Sequence, residues 1–155
     1  MGKSLDFFSN NGQIDNVRYC AACRYNCCKT DGDNFIVLFP WEIKAAKAAG
    51  LSVDHLVSIK DDPQYVHCIR PCTGQNDYKP INCATYPLYP VTEDLSVWVR
   101  GAKSRCPISD IRLRQQVKAV ADGLRRIEEL HPGSIKMMVE FIKSYPGDLE
   151  SLESE

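Results

Sequence analysis

SDIRLRQQVKAVADGLRRIEELHPGSIKMMVEFIK, residues 109–143, carries the most regular pattern in the chain and sets the fold class. Leu113, Val117, Val120, Leu124 and Ile127 recur at alternating spacings of four and three, so they share one face of an α-helix and need a surface to pack on. Ser109 suits the cap, because its hydroxyl accepts from amides that a first helical turn leaves unpaired. Pro132-Gly133 ends the pattern, and Ser134 is expected to cap a last helix striped by Ile135, Met138, Val139 and Ile142. Upstream, FIVLF (35–39) and LSVWV (95–99) read as short strands, rich in β-branched and aromatic residues. PWEIKAAKAAG (40–50) reads as a helix with Pro40 in its first turn and Gly50 at its stop. Ser52 is placed to cap another short helix through Val57. Residues 61–94 hold more than half of the prolines and read as loops. The expectation is a small single α+β domain over 1–155: an N-terminal arm (1–19), a cysteine-rich, loop-dominated region with short strands (20–108), two amphipathic helices (109–145) and an acidic tail that frays (146–155).

With 155 residues, 44% apolar and 25% charged, the composition is that of an ordinary globular chain. Folding at this length buries roughly 70% of the unfolded surface, so disulfide staples are not obligatory. A net charge of -1 argues against bulk attraction to nucleic acid or to a membrane surface. No stretch approaches the roughly 18 apolar residues of a membrane helix. MGKSLDFFSNNGQIDN lacks the basic and apolar regions of a secretion signal, and MGKSLD lacks the hydroxyl residue of a myristoylation motif. The expected compartment is the cytoplasm, where thiols stay reduced and clustered cysteines serve metals or catalysis.

Cysteine is the anomaly, with eight residues: Cys20, Cys23, Cys27, Cys28, Cys68, Cys72, Cys83 and Cys106. CAACRYNCCKT (20–30) opens with a Cys-x-x-Cys turn, which lets two thiolates converge on one metal while turn amides offset their charge. The same spacing serves dithiol redox sites. Cys27 and Cys28 reinforce the metal reading, as do Cys68-x-x-x-Cys72 and Cys83. Eight thiolates would fill two four-cysteine zinc sites, or hold one iron–sulfur cluster with four to spare. Adjacent Cys27 and Cys28 chelate a single tetrahedral ion poorly, so two centres sharing the segment, or one ligand beside one spare, are expected. His67 abuts Cys68 and is a candidate ligand or hydrogen-bond partner of one. His55, in the expected short helix, and His131, at a helix end, do not suggest catalysis.

Taken with their neighbours, these cysteines resemble the cysteine-cluster family named for its CxxCxxCC motif, the YkgJ-type zinc- or iron-chelating domains. The cysteine-rich part of flagellin lysine N-methylase is similar to the same family. The resemblance covers roughly residues 20–108. IVLFPWEIKAA resembles the family's apolar run and helix start with Glu42. YKPINCATYP (78–87) matches its Tyr, Pro, Cys, Tyr and Pro positions at Tyr78, Pro80, Cys83, Tyr86 and Pro87, and Cys106-Pro107 matches a late Cys-Pro. The resemblance implies metal ligation by the cysteines, with Tyr78, Lys79, Pro80, Tyr86 and Glu42 shaping the surroundings. Two features depart from the family: the first motif is one residue longer, CxxCxxxCC, and two family arginines are Lys79 and Ala84. No anion-binding role is carried over, because those forked donors are absent.

The functional expectation is a cytosolic protein that coordinates an iron–sulfur cluster or zinc. A second reading, a metal-dependent enzyme or accessory factor related to protein lysine methylation, lacks any glycine-rich cofactor fingerprint. A third is a zinc-stapled module that binds nucleic acid or protein. Residues 100–126 carry Arg100, Lys103, Arg105, Arg112, Arg114, Lys118, Arg125 and Arg126 against Asp110 and Asp122. A solvated helix face is the simpler account of that run. Trp41 and Trp98 are assigned to the core.

Overall fold

Helices and antiparallel sheets occur together along the chain, which is an α+β protein. The computed structural model describes residues 5, 7, 36–59, 62–70, 76–103, 106–145 and 149–152. They fall into two compact units, the first of Met1–Asp6 and Asn16–Ala84, the second of Phe7–Asp15 and Thr85–Glu155.

In the first unit, β1 (Ile36–Val37), β2 (Leu56–Ile59) and β3 (Asp62–Cys68) form an antiparallel sheet in the order β1-β3-β2. Ile36 sits opposite Val66, and Leu56 opposite Cys68. The β2–β3 ladder shifts register between Ser58 and Ile59, alongside Pro63, which has no amide to donate. Helix α1 (Glu42–Ala48) follows a turn closed by Glu42 N–H on Phe39 O at 3.0 Å, so Pro40 precedes the helix and does not enter it. Gly50 stops it at φ 78°, and Leu51 N–H returns to Ala46 O at 3.1 Å. That left-handed ending is one a glycine adopts without steric cost. Leu38, Ala46, Val66, Tyr78 and Ile81 form the buried interior, and α2 (Ile81–Thr85) runs to the boundary.

No helix forms over Ser52–Val57. Ser52 Oγ accepts from Asp54 N–H at 3.4 Å, Leu56 N–H donates to Val53 O, and the chain then enters β2. A helix this short would leave most of its amides and carbonyls unpaired, whereas pairing with β3 satisfies them. Trp41 is half-buried and stacks on Phe39 at 5.4 Å, so it lies at the edge of the core assigned to it.

In the second unit, β4 (Leu88–Pro90), β5 (Trp98–Gly101) and β6 (Leu149–Ser151) form an antiparallel sheet in that order. The loop reading of 61–94 is thus corrected at β3, α2 and β4. Pro87 precedes β4 and Pro90 ends it, and an edge strand tolerates proline. The strand expected over 95–99 starts only at Trp98. Ahead of it, Thr92 and Ser96 hydroxyls both donate to Asp94 Oδ1 at 2.6 Å, and Leu95 takes φ 62°, which fixes a turn. Part of the acidic tail pairs where fraying is expected: Leu149 lies opposite Gly101, and Ser151 opposite Val99. β5 thereby gains a partner on its second edge.

Helix α3 (Asp110–Leu130) begins as its sequence predicts, with Ser109 Oγ accepting from Arg112 N–H at 3.4 Å. Leu113, Val120, Leu124 and Ile127 are fully buried, each contributing about 1.5–3 kcal/mol of transfer free energy. Val117 is half-buried. Helix α4 (Ser134–Lys143) packs against α3 and β4. Its cap differs from expectation: Gly133 holds the cap position at φ 93°, and the Glu128 carboxylate accepts from the amides of Gly133 and Ile135. Ser134 Oγ instead donates to His131 O at 2.7 Å. Trp98 is buried, with its indole N–H on Leu95 O at 2.9 Å. Among the described residues no helix is long and apolar enough to cross a membrane.

Gly133→Ala is expected to lower stability by about 1–2 kcal/mol, the cost of a left-handed conformation for a residue with a Cβ. Urea denaturation checks this; an unchanged midpoint would show that the turn relaxes freely.

Candidate metal centre

The sequence places a glutamate at the start of α1, and folding carries its side chain wholly out of water. Glu42 Oε2 accepts from Phe39 N–H at 3.0 Å. Glu42 Oε1 accepts from Ile81 N–H at 2.7 Å and from the Tyr78 hydroxyl. Burial pushes the Glu42 carboxyl up, and the donors from Ile81, Tyr78 and Phe39 pull it back. Burial, then the Glu42 charge, pushes the Tyr78 phenol up, and Cys83 is close enough to add to the effect. The phenol therefore remains a donor. Glu42 thus ties the turn before α1 to the YKPINC segment, and Ile81 N–H is two residues from Cys83. Pro80 is buried, Lys79 half-buried, and Pro80 O accepts from Ala84 N–H at 2.9 Å to start α2.

Cys68 ends β3, half-buried and opposite Leu56; His67 beside it is half-buried and opposite Val57. Two residues on, Arg70 forms a forked pair with Asp77, at 2.6 Å and 2.9 Å. Asp77 is nearly buried and Arg70 about half-exposed. Asn76 O accepts from Ser52 N–H at 2.7 Å, and Tyr78 N–H donates to Ser52 O at 2.8 Å. Both ends of the segment that carries Cys72 are therefore anchored by described residues. His55, also fully buried, is joined through Nε2 to Tyr78 O at 2.9 Å.

In the second unit, buried Cys106 lies in the connection between β5 and α3. That connection is organised by Arg100, whose side chain is wholly buried on β5. Its guanidinium donates from Nε to Gly101 O (2.9 Å), from Nη2 to Cys106 O (2.5 Å), and from Nη1 to Asp110 Oδ1 (2.9 Å) and Ile108 O. The solvated-face reading of the basic run is therefore corrected at Arg100. It holds for Lys118 and Arg125, exposed partners of Asp122. Tyr86 lies against Gly101, where any Cβ would fall 2.8 Å from its hydroxyl.

Cys20, Cys23, Cys27, Cys28 and Cys72 lie outside the described residues. No disulfide joins any two of Cys68, Cys83 and Cys106. Among the described residues, no three histidine, cysteine or acidic side chains gather as a metal site. The structure does bring together Glu42, Tyr78, Pro80 and the approach to Cys83, residues named from separate parts of the sequence. Sequence reasoning missed Arg100, the Arg70–Asp77 fork and the burial of His55. Asp77 and Arg70 gave no signal, being ordinary loop charges, whereas Arg100 follows directly on the apolar run LSVWV.

Glu42→Gln keeps an oxygen for Tyr78 and Ile81 but turns an amide N–H toward Phe39 N–H, and is expected to cost about 1–3 kcal/mol. A folded-state pKa raised above the ordinary 4.5 gives stability that is complete below about pH 4.5 and is lost as pH rises through the folded value. The cost of Glu42→Gln should therefore be largest in acid and shrink toward alkaline pH, measured by denaturation across that range. Arg100→Gln leaves Asp110 and three buried carbonyls short of donors, and should cost about 3–5 kcal/mol and speed alkylation of Cys106. An alkylation rate at the wild-type value would show that the connection keeps its shape without the guanidinium.

No family model, curated protein or solved structure matches the chain.

Proposed function

We propose that the protein is a metal-binding protein of the CxxCxxCC cysteine-cluster kind, holding zinc or an iron–sulfur cluster through Cys20, Cys23, Cys27, Cys28, Cys68, Cys72, Cys83 and Cys106. The observation that carries the reading is the buried Glu42 junction. It joins the helix start that resembles the family's to the Tyr78-x-Pro80 segment that leads into Cys83. Buried polar groups of this cost are retained where a local geometry must be fixed, and here the geometry fixed is the backbone beside a cysteine. A thiolate centre competes with protons for each sulfur, so metal affinity falls with acidification and metal release is coupled to unfolding.

Anaerobic purification followed by metal and acid-labile sulfide analysis, with a visible spectrum, tests this. Iron with labile sulfide and broad visible absorption selects the cluster, and zinc in a colourless solution selects the ion. A folded protein that is metal-free and disulfide-bonded would overturn the proposal.

A further inference from the structure

In the sheet of the second unit, β6 is the strand whose side chains the fold does not bury. Leu149 and Glu150 are half-buried and Ser151 is exposed, whereas β4 is buried throughout and β5 at all but Val99. β6 is held by its main chain, in register against Val99, Arg100 and Gly101. Gly101 N–H donates to Pro87 O, and Val97 O accepts from Val91 N–H, so alternate residues of β5, from Val97 to Gly101, face β4. The antiparallel pattern then turns the N–H and C=O of Arg100 toward Glu150. A strand this short, with no buried apolar anchor, opens at lower cost than the sheet as a whole. β5 keeps its pairing with β4 when β6 leaves, and its bared edge is a template for another extended chain.

The residues around β6 state which chain fits. Lys103 N–H donates to Glu150 Oε1 at 3.3 Å. Arg100 and Lys103 share a single acid, Asp110, so this corner holds an excess of positive charge that Glu150 offsets. Past Gly101 the edge closes, because Ala102 O accepts from Cys106 N–H at 3.0 Å within the connection to α3. The edge of β5 therefore reads a short extended segment through its backbone and one acidic side chain opposite Arg100.

We propose that the edge of β5 facing β6 is a binding site for an extended acidic segment of a partner protein, and that β6 is its intramolecular stand-in, displaced when the partner strand binds. The site lies wholly in the second unit and is independent of the metal reading.

The probe is a fluorescent peptide of residues 147–153, GDLESLE, titrated by anisotropy into the full chain. Glu150→Pro in the protein removes the amide that faces Arg100 and frees the edge, so the peptide should bind that variant at least about tenfold more tightly than wild type. The same peptide carrying Glu150→Lys should bind about tenfold more weakly to either protein, having lost a hydrogen bond made by a charged group. Hydrogen exchange on the unmodified chain needs no variant: the Arg100 amide should exchange at least about tenfold faster than those of Val99 and Gly101, which face β4. Equal protection of the three amides overturns the proposal, since β6 then opens only with the whole sheet. A peptide that binds neither protein, or binds both alike, also overturns it, and a lysine peptide that binds as well as the acidic one overturns the acidic partner.

Discussion

A carboxylate taken entirely out of water is the constraint around which the first unit is organised. Glu42 meets it with three donors, two from backbone amides at Phe39 and Ile81 and one from the Tyr78 hydroxyl. The pairing with Phe39 is local: Glu42 N–H donates to Phe39 O while its own side chain takes Phe39 N–H, the reciprocal arrangement that holds a chain entering a helix. The pairing with Tyr78 and Ile81 is distant in sequence and fixes where the YKPINC segment must run. Desolvation makes such a site poor value as stability alone. Its consequence is specificity, because a backbone displaced by an ångström leaves a buried charge unmatched.

The same device recurs beside other cysteines. Arg70 and Asp77 close the ends of the segment that carries Cys72, with the acid nearly buried. Arg100 donates to Cys106 O and Ile108 O and pairs with Asp110, ahead of α3. Where strand ladders and helices do not supply partners for the backbone, guanidinium and carboxylate groups do. Glu42 and Arg100 address peptide groups within a few residues of a cysteine, whereas Arg70 and Asp77 pair side chain to side chain.

The physics also explains what could be read in advance. α3 was legible because its stripe, Leu113 to Ile127, and its cap, Ser109, are information local to one helix. β2 and β6 were not, since LVSI and LES become strands through partners far along the chain, β3 and β5. The cap of α4 was misread because Ser134 has the right chemistry, but the cap position falls one residue earlier, at Gly133, and the Glu128 carboxylate from α3 accepts from the amides of Gly133 and Ile135. Glu42, Tyr78 and Pro80 were named from resemblance to a family, and their convergence on one buried point is a property of the fold that spacing did not reveal. His55 was obscured by the short helix expected around it.

Among these buried polar groups, satisfaction is unequal, and the inequality is informative. Glu42 uses both oxygens and Arg100 donates through all three nitrogens, so protein atoms alone complete their surroundings. Their segments are held in shape by the chain's own atoms. His55 is completed on one side only, with Nε2 met and Nδ1 buried without a partner. The carboxylate and guanidinium networks therefore act as scaffold for the segments they join, while the His55 ring is tied to its surroundings through one nitrogen only.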